Sequence, residues 1–274
     1  MQGMQEAHGL PVVRGCDCVG LSRSAYYRER VDWQERDAPV IEALNELVER
    51  KPRSGFWKYV DYCGLAGHRW NHKRIHRVYC GLGLNLPRRT KKRVPVRVSE
   101  PLIVPAQANQ VWSADFVSDA LYRGPRFRAF TLLDDFNREA LAIEVDTSLR
   151  AGRLIRVFDR LRVERGLPDI LRVDNGPEFL ANEFVEWMSG HGVFIRYIQP
   201  GKPNQNAFIE RFNRTYRNEL LDLYLFRNLD EVREITAGWF DEYNEQRPHD
   251  ALGGIPPALY ATRNAGNSIL ELST

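Results

Sequence analysis

"DILRVDNGPEFLANEFVEWMSGHGVFIRYI" (residues 169–198) decides the fold class. Residues 169–173 read as a short buried strand, an apolar run that stops at a turn signal. Asp174, Asn175 and Gly176 supply the turn, and Pro177 suits the start of a helix. That helix is expected over 178–192, and residues 194–198 form the next strand. Strand alternating with helix marks an α/β protein.

Three further strands lie upstream: "VWSADFV" (111–117), "RFRAFTLLDDF" (126–136) and "REALAIEVD" (138–146). The second and third are joined by a turn within "DDFNRE". A helix follows over 148–166, with Leu154, Val157, Phe158 and Leu161 on its apolar stripe. Three consecutive strands and then alternation predict a mixed five-stranded sheet with flanking helices. Downstream, the loop "QPGKPNQN" (199–206) precedes two more helices. In the first, Ile209, Phe212, Tyr216 and Leu220 share a face, while Glu210 stands beside Asn213, Arg214 and Arg217. That carboxylate is either one half of a surface ion pair with Arg214 or a metal ligand set beside a polyanion.

The N-terminal third reads as a small helical region. "VGLSRSAYYR" (19–28) has a Gly turn and then Ser22 as an N-cap, similar to the second half of a helix-turn-helix. A helix is expected over 37–52, starting at Asp37 or Ala38 with Pro39 in its first turn. Another is expected within 67–84, capped by Asn71 and exposing Lys73, Arg74 and Arg77 to a DNA groove or its phosphates. "RRTKKR" (88–93) follows with Arg88, Arg89, Lys91, Lys92 and Arg93, either a backbone-tracking tail or a tether. Residues 94–108, with three prolines and no helical period, form a linker. Cys63, His68, His72, His76 and Cys80 include zinc-compatible ligand types, but no close Cys-x-x-Cys pair accompanies them.

The 274-residue chain has length for about two domains. Its net charge of +3 hides an asymmetry: residues 51–93 hold twelve basic residues against one acidic. A basic segment between mildly acidic ones points to a polyanion such as double-stranded DNA. No run of about 18 apolar residues and no signal-peptide pattern is present, so a cytoplasmic protein is the expectation. Four cysteines are too few for a disulfide scaffold.

Three carboxylates carry the chemistry. Asp115 falls inside a strand, where Asp is depleted; it is a ligand or a solvent-facing edge residue. Asp174 ends a strand just before a helix, where open α/β sheets place ligands, though Asp-Asn-Gly is also plain turn chemistry. Glu210 lies on the later helix. Two strand carboxylates and one on a covering helix can converge, and such hard oxygen donors suit Mg²⁺ or Mn²⁺. Two such ions, about 3.5–4 Å apart, would activate an attacking oxygen and stabilise a leaving oxygen of a phosphodiester.

"WSADF", "RVDNGPEF" and "GKPNQNAFIERFN", in this order and spacing, resemble the Asp-Asp-Glu core of retroviral-type integrases and transposases. "YNEQRPHDALGGIPPALY" (243–260), "GLSRSAYYR" and "NHKRIHRVYCGLGL" extend the likeness to the downstream-frame product of the large two-frame bacterial insertion-sequence family. "SGFWKYVDYC" and "RGCDCVG" depart from that family's pattern, both in the DNA-binding part. The resemblance implies a helix-turn-helix-like region over 1–93, a ribonuclease-H-like core over 109–225 and a helical extension over 226–274. It makes Asp115, Asp174 and Glu210 the catalytic metal ligands, and Asn175 and Gly176 the active-site turn. Lys202, Asn206, Asn213 and Arg214 become DNA contacts, with Arg217 on the same face. It implies cleavage at transposon ends and 3′-hydroxyl strand transfer by a homo-multimer, with an upstream-frame partner protein. Arg247 and His249 either take a chemical role or, as the stronger reading, fix the last helix against the core or touch backbone phosphate. A cutting-only nuclease, a DNA-binding regulator and an inactive remnant are the competing readings.

Overall fold

The computed structural model describes residues 9–28, 32–86, 104–199 and 203–270. The basic stretch with Arg88, Arg89, Lys91, Lys92 and Arg93 lies outside these residues, as does Lys202. The chain divides into two compact units, Met1–Glu46 and Leu47–Thr274.

The first unit holds α1 (Val12–Val19), α2 (Arg23–Tyr26) and most of α3 (Trp33–Arg50). Gly20 ends α1 in the left-handed region, and the Ser22 hydroxyl caps α2 by accepting from the Ala25 N–H. The sequence predicts α3 from Asp37 or Ala38; it starts one turn earlier. Asp32 accepts from the Glu35 N–H and so caps it there, which moves Pro39 into the helix interior.

The second unit carries α4 (Phe56–Leu65), which the sequence reading leaves unassigned, and α5 (His72–Gly81). Asn71 caps α5 as expected, and Ile75, Val78 and Tyr79 are its buried face. Next come β1 (Val111–Ala120), β2 (Arg126–Asp134), β3 (Ala140–Asp146), α6 (Ala151–Glu164) and β4 (Ile170–Val173). Beyond β4 lie α7 (Pro177–Leu180), α8 (Asn182–Gly190), β5 (Phe194–Tyr197), α9 (Ala207–Glu219), α10 (Leu229–Glu245) and α11 (Pro257–Leu270). The single helix predicted over 178–192 is therefore two, broken at extended Ala181. In one straight helix Phe179 and Phe184 would point about 140° apart. The break lets both reach the same core, where each is fully buried. A third helix, α11, follows the two expected after the loop.

The sheet order is β3-β2-β1-β4-β5. β1 pairs antiparallel with β2 and parallel with β4; β2–β3 is antiparallel and β4–β5 parallel. Each face of this mixed sheet has its own core. Trp112, Phe130 and Leu132 pack with Leu154 and Phe158 of α6 and with Phe184 of α8. Phe127, Ala129 and Leu133 pack with Phe212 and Tyr216 of α9 and with Trp239 of α10. This helix–sheet–helix sandwich is the ribonuclease-H-like core. Residues 51–65 belong to the same compact unit: Lys51 pairs with Glu242, and the Lys58 ammonium donates to the Pro248 carbonyl at 2.6 Å. The unit boundary thus falls at 46/47, upstream of the expected end of the helical region at 93. Among the described residues, no helix is long and apolar enough to cross a membrane.

Candidate active site

Alternation along β1 sends Trp112 and Ala114 to the α6 face, and Ser113, Asp115 and Val117 to the α9 face. Asp115 sits opposite Thr131 of β2. On its other side, β1 and β4 pair up to Ser113 and Arg172. Continuing that parallel register by two residues sets Asp174 level with Asp115, on the same face, just past the end of β4. α9 crosses this face. Its Ile209, Phe212 and Tyr216 are buried in the sheet core, which leaves Glu210 half-buried at the edge of the site. The three carboxylates come to one region, as their electrostatics show. Burial, with the negative fields of Asp174 and Glu210 adding to it, pushes the Asp115 carboxyl up to about 6. The Phe116 N–H and the Asn213 amide, both donating to this carboxylate, act against that rise.

Asn213 holds Asp115. Its Nδ2 donates to Asp115 Oδ2 at 2.8 Å, while its Oδ1 accepts from the Thr131 hydroxyl at 2.8 Å. The same hydroxyl lies 3.1 Å from the Asp115 carbonyl oxygen. The sequence reading makes Asn213 a DNA contact; the structure buries it behind the carboxylate instead. Asn206, another expected DNA contact, is likewise turned inward. It is 2% exposed, and its Nδ2 reaches the Ala114 carbonyl at 3.5 Å. Arg217, also expected on DNA, is drawn back to the end of β1, where it donates to the Ser118 carbonyl at 2.7 Å and meets Asp119 at 3.4 Å. Arg214 is exposed, and among the described residues no ion pair joins it to Glu210.

The turn after β4 is built around Asp174. Its Oδ1 accepts from the Gly176 N–H at 3.0 Å, and the Asn175 amide donates to the Ile198 carbonyl at 3.2 Å, tying the turn to the end of β5. A Cβ on Gly176 would stand 3.0 Å from Asp174 Oδ1, so the glycine makes room for the carboxylate. Nearby, Arg128 pairs with Glu178 and lies 4.0 Å over the Phe116 ring. Beneath the two aspartates, Arg172 donates to Asp135 at 2.8 Å in a buried pair. Sequence reasoning missed these supports. Thr131 had a visible signal: it is a polar residue on the apolar face that Phe127, Ala129 and Leu133 define.

As placed, no group of three or more His, Cys, Asp or Glu among the described residues closes on a common metal position. Both oxygens of Asp115 and the Oδ1 of Asp174 accept from internal donors. Their chemistry nonetheless suits a hard cation, since all three donors are carboxylates and two repel the third. Of the zinc-compatible side chains, Cys80 and His76 approach to 3.6 Å, but no third ligand among the described residues joins them: Cys63 is buried and His68 stacks on Trp70 at 4.0 Å. Lys73 and Arg77 are exposed on α5 and Arg74 is half-buried, so the predicted basic helix exists. Arg247 grips Glu219 at the end of α9 with two bonds of 2.7 and 2.8 Å, and this anchors the last helices. His249 is packed beneath it, and burial drives its pKa down to about 2, with Arg247 and Lys58 adding to the shift.

Residues 105–203 match the integrase core domain, and residues 191–257 match a second model of the same description. Together these spans enclose Asp115, Asp174 and Glu210. The chain is 38% identical over 264 residues to the insertion element IS407 uncharacterized 31.7 kDa protein of Burkholderia multivorans, covering 96% of this chain and 95% of that one. It is 26% identical over 289 residues to transposase InsD for insertion element IS2 of Escherichia coli, covering 97% and 95%. Among solved structures, the HTLV-2 integrase catalytic core domain in complex with magnesium aligns at 20% identity and a TM-score of 0.43, over 53% of this chain and 92% of that chain. Matched along nearly its whole length by insertion-element proteins and across its sheet by the integrase core, the chain belongs to the insertion-sequence transposases with a retroviral-type integrase core.

Proposed function

We propose that this protein cuts DNA at the ends of an insertion element and joins the freed 3′-hydroxyl to a target phosphodiester, with Asp115, Asp174 and Glu210 holding divalent metal. The observation that supports this reading is the parallel pairing of β1 with β4 up to Ser113 and Arg172, two residues before Asp115 and Asp174, together with the fields that Asp174 and Glu210 exert on Asp115. Mg²⁺ or Mn²⁺, as one ion or a pair, would polarise the scissile phosphate and favour the deprotonated nucleophile. The chain's own groups prepare the site. Asn213 and Thr131 fix the rotamer of Asp115, and the Gly176 N–H fixes Asp174. Because Asp115 titrates near 6, it is mostly ionised at pH 7.5 and ready to ligate. Exposed Arg214, beside Glu210 on α9, is placed to meet the DNA backbone. Lys73 and Arg77 of α5 would track phosphates away from the reacting bond. Joining two ends calls for more than one copy of the chain, and an upstream-frame protein is a further candidate partner.

The test is a labelled element-end duplex incubated with the protein and Mg²⁺ or Mn²⁺. Nicked ends together with joined products support the reading. Nicks alone would make the protein a nuclease, and full activity in Glu210→Gln would remove Glu210 from the metal site.

A further inference from the structure

Trp57 is 62% exposed, although tryptophan is among the residues with most to gain from burial. It stands on α4, with its ring 5.6 Å from the His72 imidazole at an interplanar angle of 37°. His72 and Lys73 occupy the first turn of α5, and both are exposed. The rings behind Trp57 are packed: Phe56 contacts His76 and Tyr79. The first two turns of α5 are basic: Lys73 and Arg77 are exposed, and the nearest acidic side chain in the preceding sequence is Asp61. Asp61 does not neutralise them, since it lies against the Gly253–Gly254 turn and beside Lys58. A large aromatic face left open beside a cation and an imidazole matches a ligand with a flat ring and a negative charge.

We propose that Trp57, His72 and Lys73 form a contact site for one deoxynucleotide of bound DNA. The indole lies against its base or sugar ring, and the His72 ring N–H and the Lys73 ammonium meet the adjoining phosphates. An unpaired base would stack on the indole. In a duplex the indole would instead meet a sugar or a thymine methyl. This inference rests on DNA being the partner under the proposed function, but not on the carboxylate chemistry.

The test uses the full chain and two fluorescein-labelled probes of one arbitrary sequence, a duplex and its single strand, with Kd measured across a salt series. Trp57→Ala is expected to weaken binding by between about fivefold and a hundredfold, with the salt slope unchanged. Lys73→Gln is expected to lower the slope by about one. Trp57→Phe should keep most of the affinity. Loss confined to the single strand assigns base stacking, and loss confined to the duplex assigns a groove or sugar contact. A second readout uses chain labelled with 5-fluorotryptophan, in which the ¹⁹F line absent from Trp57→Phe should shift when either probe is added. Unchanged affinity in Trp57→Ala, or an unmoved Trp57 line at saturating DNA, overturns the proposal. Loss of cleavage with this contact intact would instead count against the proposed function.

Discussion

Replacing Asn213 by Ala should move the titration of Asp115 upward by about one to two pH units. In the metal-free chain the Asp115 carboxyl already stands near 6, where its ordinary value is 3.8. The Asn213 amide donates to its Oδ2 at 2.8 Å and favours the ionised form. A hydrogen bond to a charged group is worth about 1.5–3 kcal/mol, and about 1.4 kcal/mol corresponds to one pH unit. Removing the donor therefore carries Asp115 from near 6 to roughly 7 or 8. At pH 7 the wild-type carboxyl is about nine-tenths ionised, whereas the variant is half or mostly protonated. A cation must then displace a proton, so apparent Mg²⁺ affinity at pH 7 should fall about two- to tenfold and recover near pH 8.5. ¹³C titration of the aspartate carboxyls without metal reads the first effect, and Mg²⁺ dependence of cleavage at pH 7 and 8.5 reads the second. Asp174→Asn is the opposite control, because removing a neighbouring negative charge should lower the Asp115 value. An Asp115 titration that stays put or falls in Asn213→Ala refutes the idea that this amide supports the ionised carboxylate.

Four further outcomes follow from the same geometry. His249 is kept neutral in the folded chain, with its pKa depressed to about 2, while the unfolded chain takes up a proton below 6.5. Stability is therefore lost as pH falls from 6.5 towards 2, and between pH 7 and 5 the wild type should lose about 2 kcal/mol more than His249→Gln in urea unfolding. Arg247→Met strands the Glu219 carboxylate and should cost about 3–5 kcal/mol by the same assay, whereas a loss under 1 kcal/mol would mean the pair is solvated. Gly176→Ala keeps an ordinary backbone angle but crowds Asp174 Oδ1; stability should change by less than about 1 kcal/mol while cleavage falls about tenfold or more. Glu210→Asp retracts the carboxylate by one methylene from a helix that is anchored in place, so cleavage should drop on the order of a hundredfold, and more than a tenth of normal activity would show that α9 can follow.

The sheet was legible because its strands carry apolar runs cut by strong turn signals, and "DNGP" alone marks the end of β4. Of the three carboxylates, Asp115 alone stands where a strand pattern disfavours an acid; Asp174 lies in a turn signal and Glu210 on a polar helix face, so these two were singled out by motif rather than by pattern. Helix starts were less legible. Asp32 and Glu35 make a capping pair that outweighs Pro39, and the pull of Phe179 and Phe184 toward one core breaks a helix whose local sequence reads as continuous. Which polar residues are spent inside the fold could not be read from type. Asn206, Asn213 and Arg217 look like phosphate ligands in sequence. Their partners, Ala114, Asp115, Thr131 and Ser118, belong to strands some 80 or more residues away, and only the fold brings them together.

α9 resolves the oddity of one acid among amides and cations. Each of its sides is committed to a different neighbour. Ile209, Phe212 and Tyr216 bury it against the sheet, Asn213 grips Asp115, Arg217 ties it to the last residues of β1, and Glu219 at its end is clamped by Arg247. With four such anchors along thirteen residues, the helix has little freedom to slide or roll. In the proposed metal site Glu210 would therefore join the two aspartates by side-chain rotation alone. The charges around it divide accordingly: Arg217 serves the fold, exposed Arg214 remains for an external anion, and no cation among the described residues neutralises Glu210 in advance. An acidic group left uncompensated beside two others is unfavourable for the empty protein and favourable once a divalent cation arrives. Under the proposed function, the same lack of compensation is what would equip the site for metal.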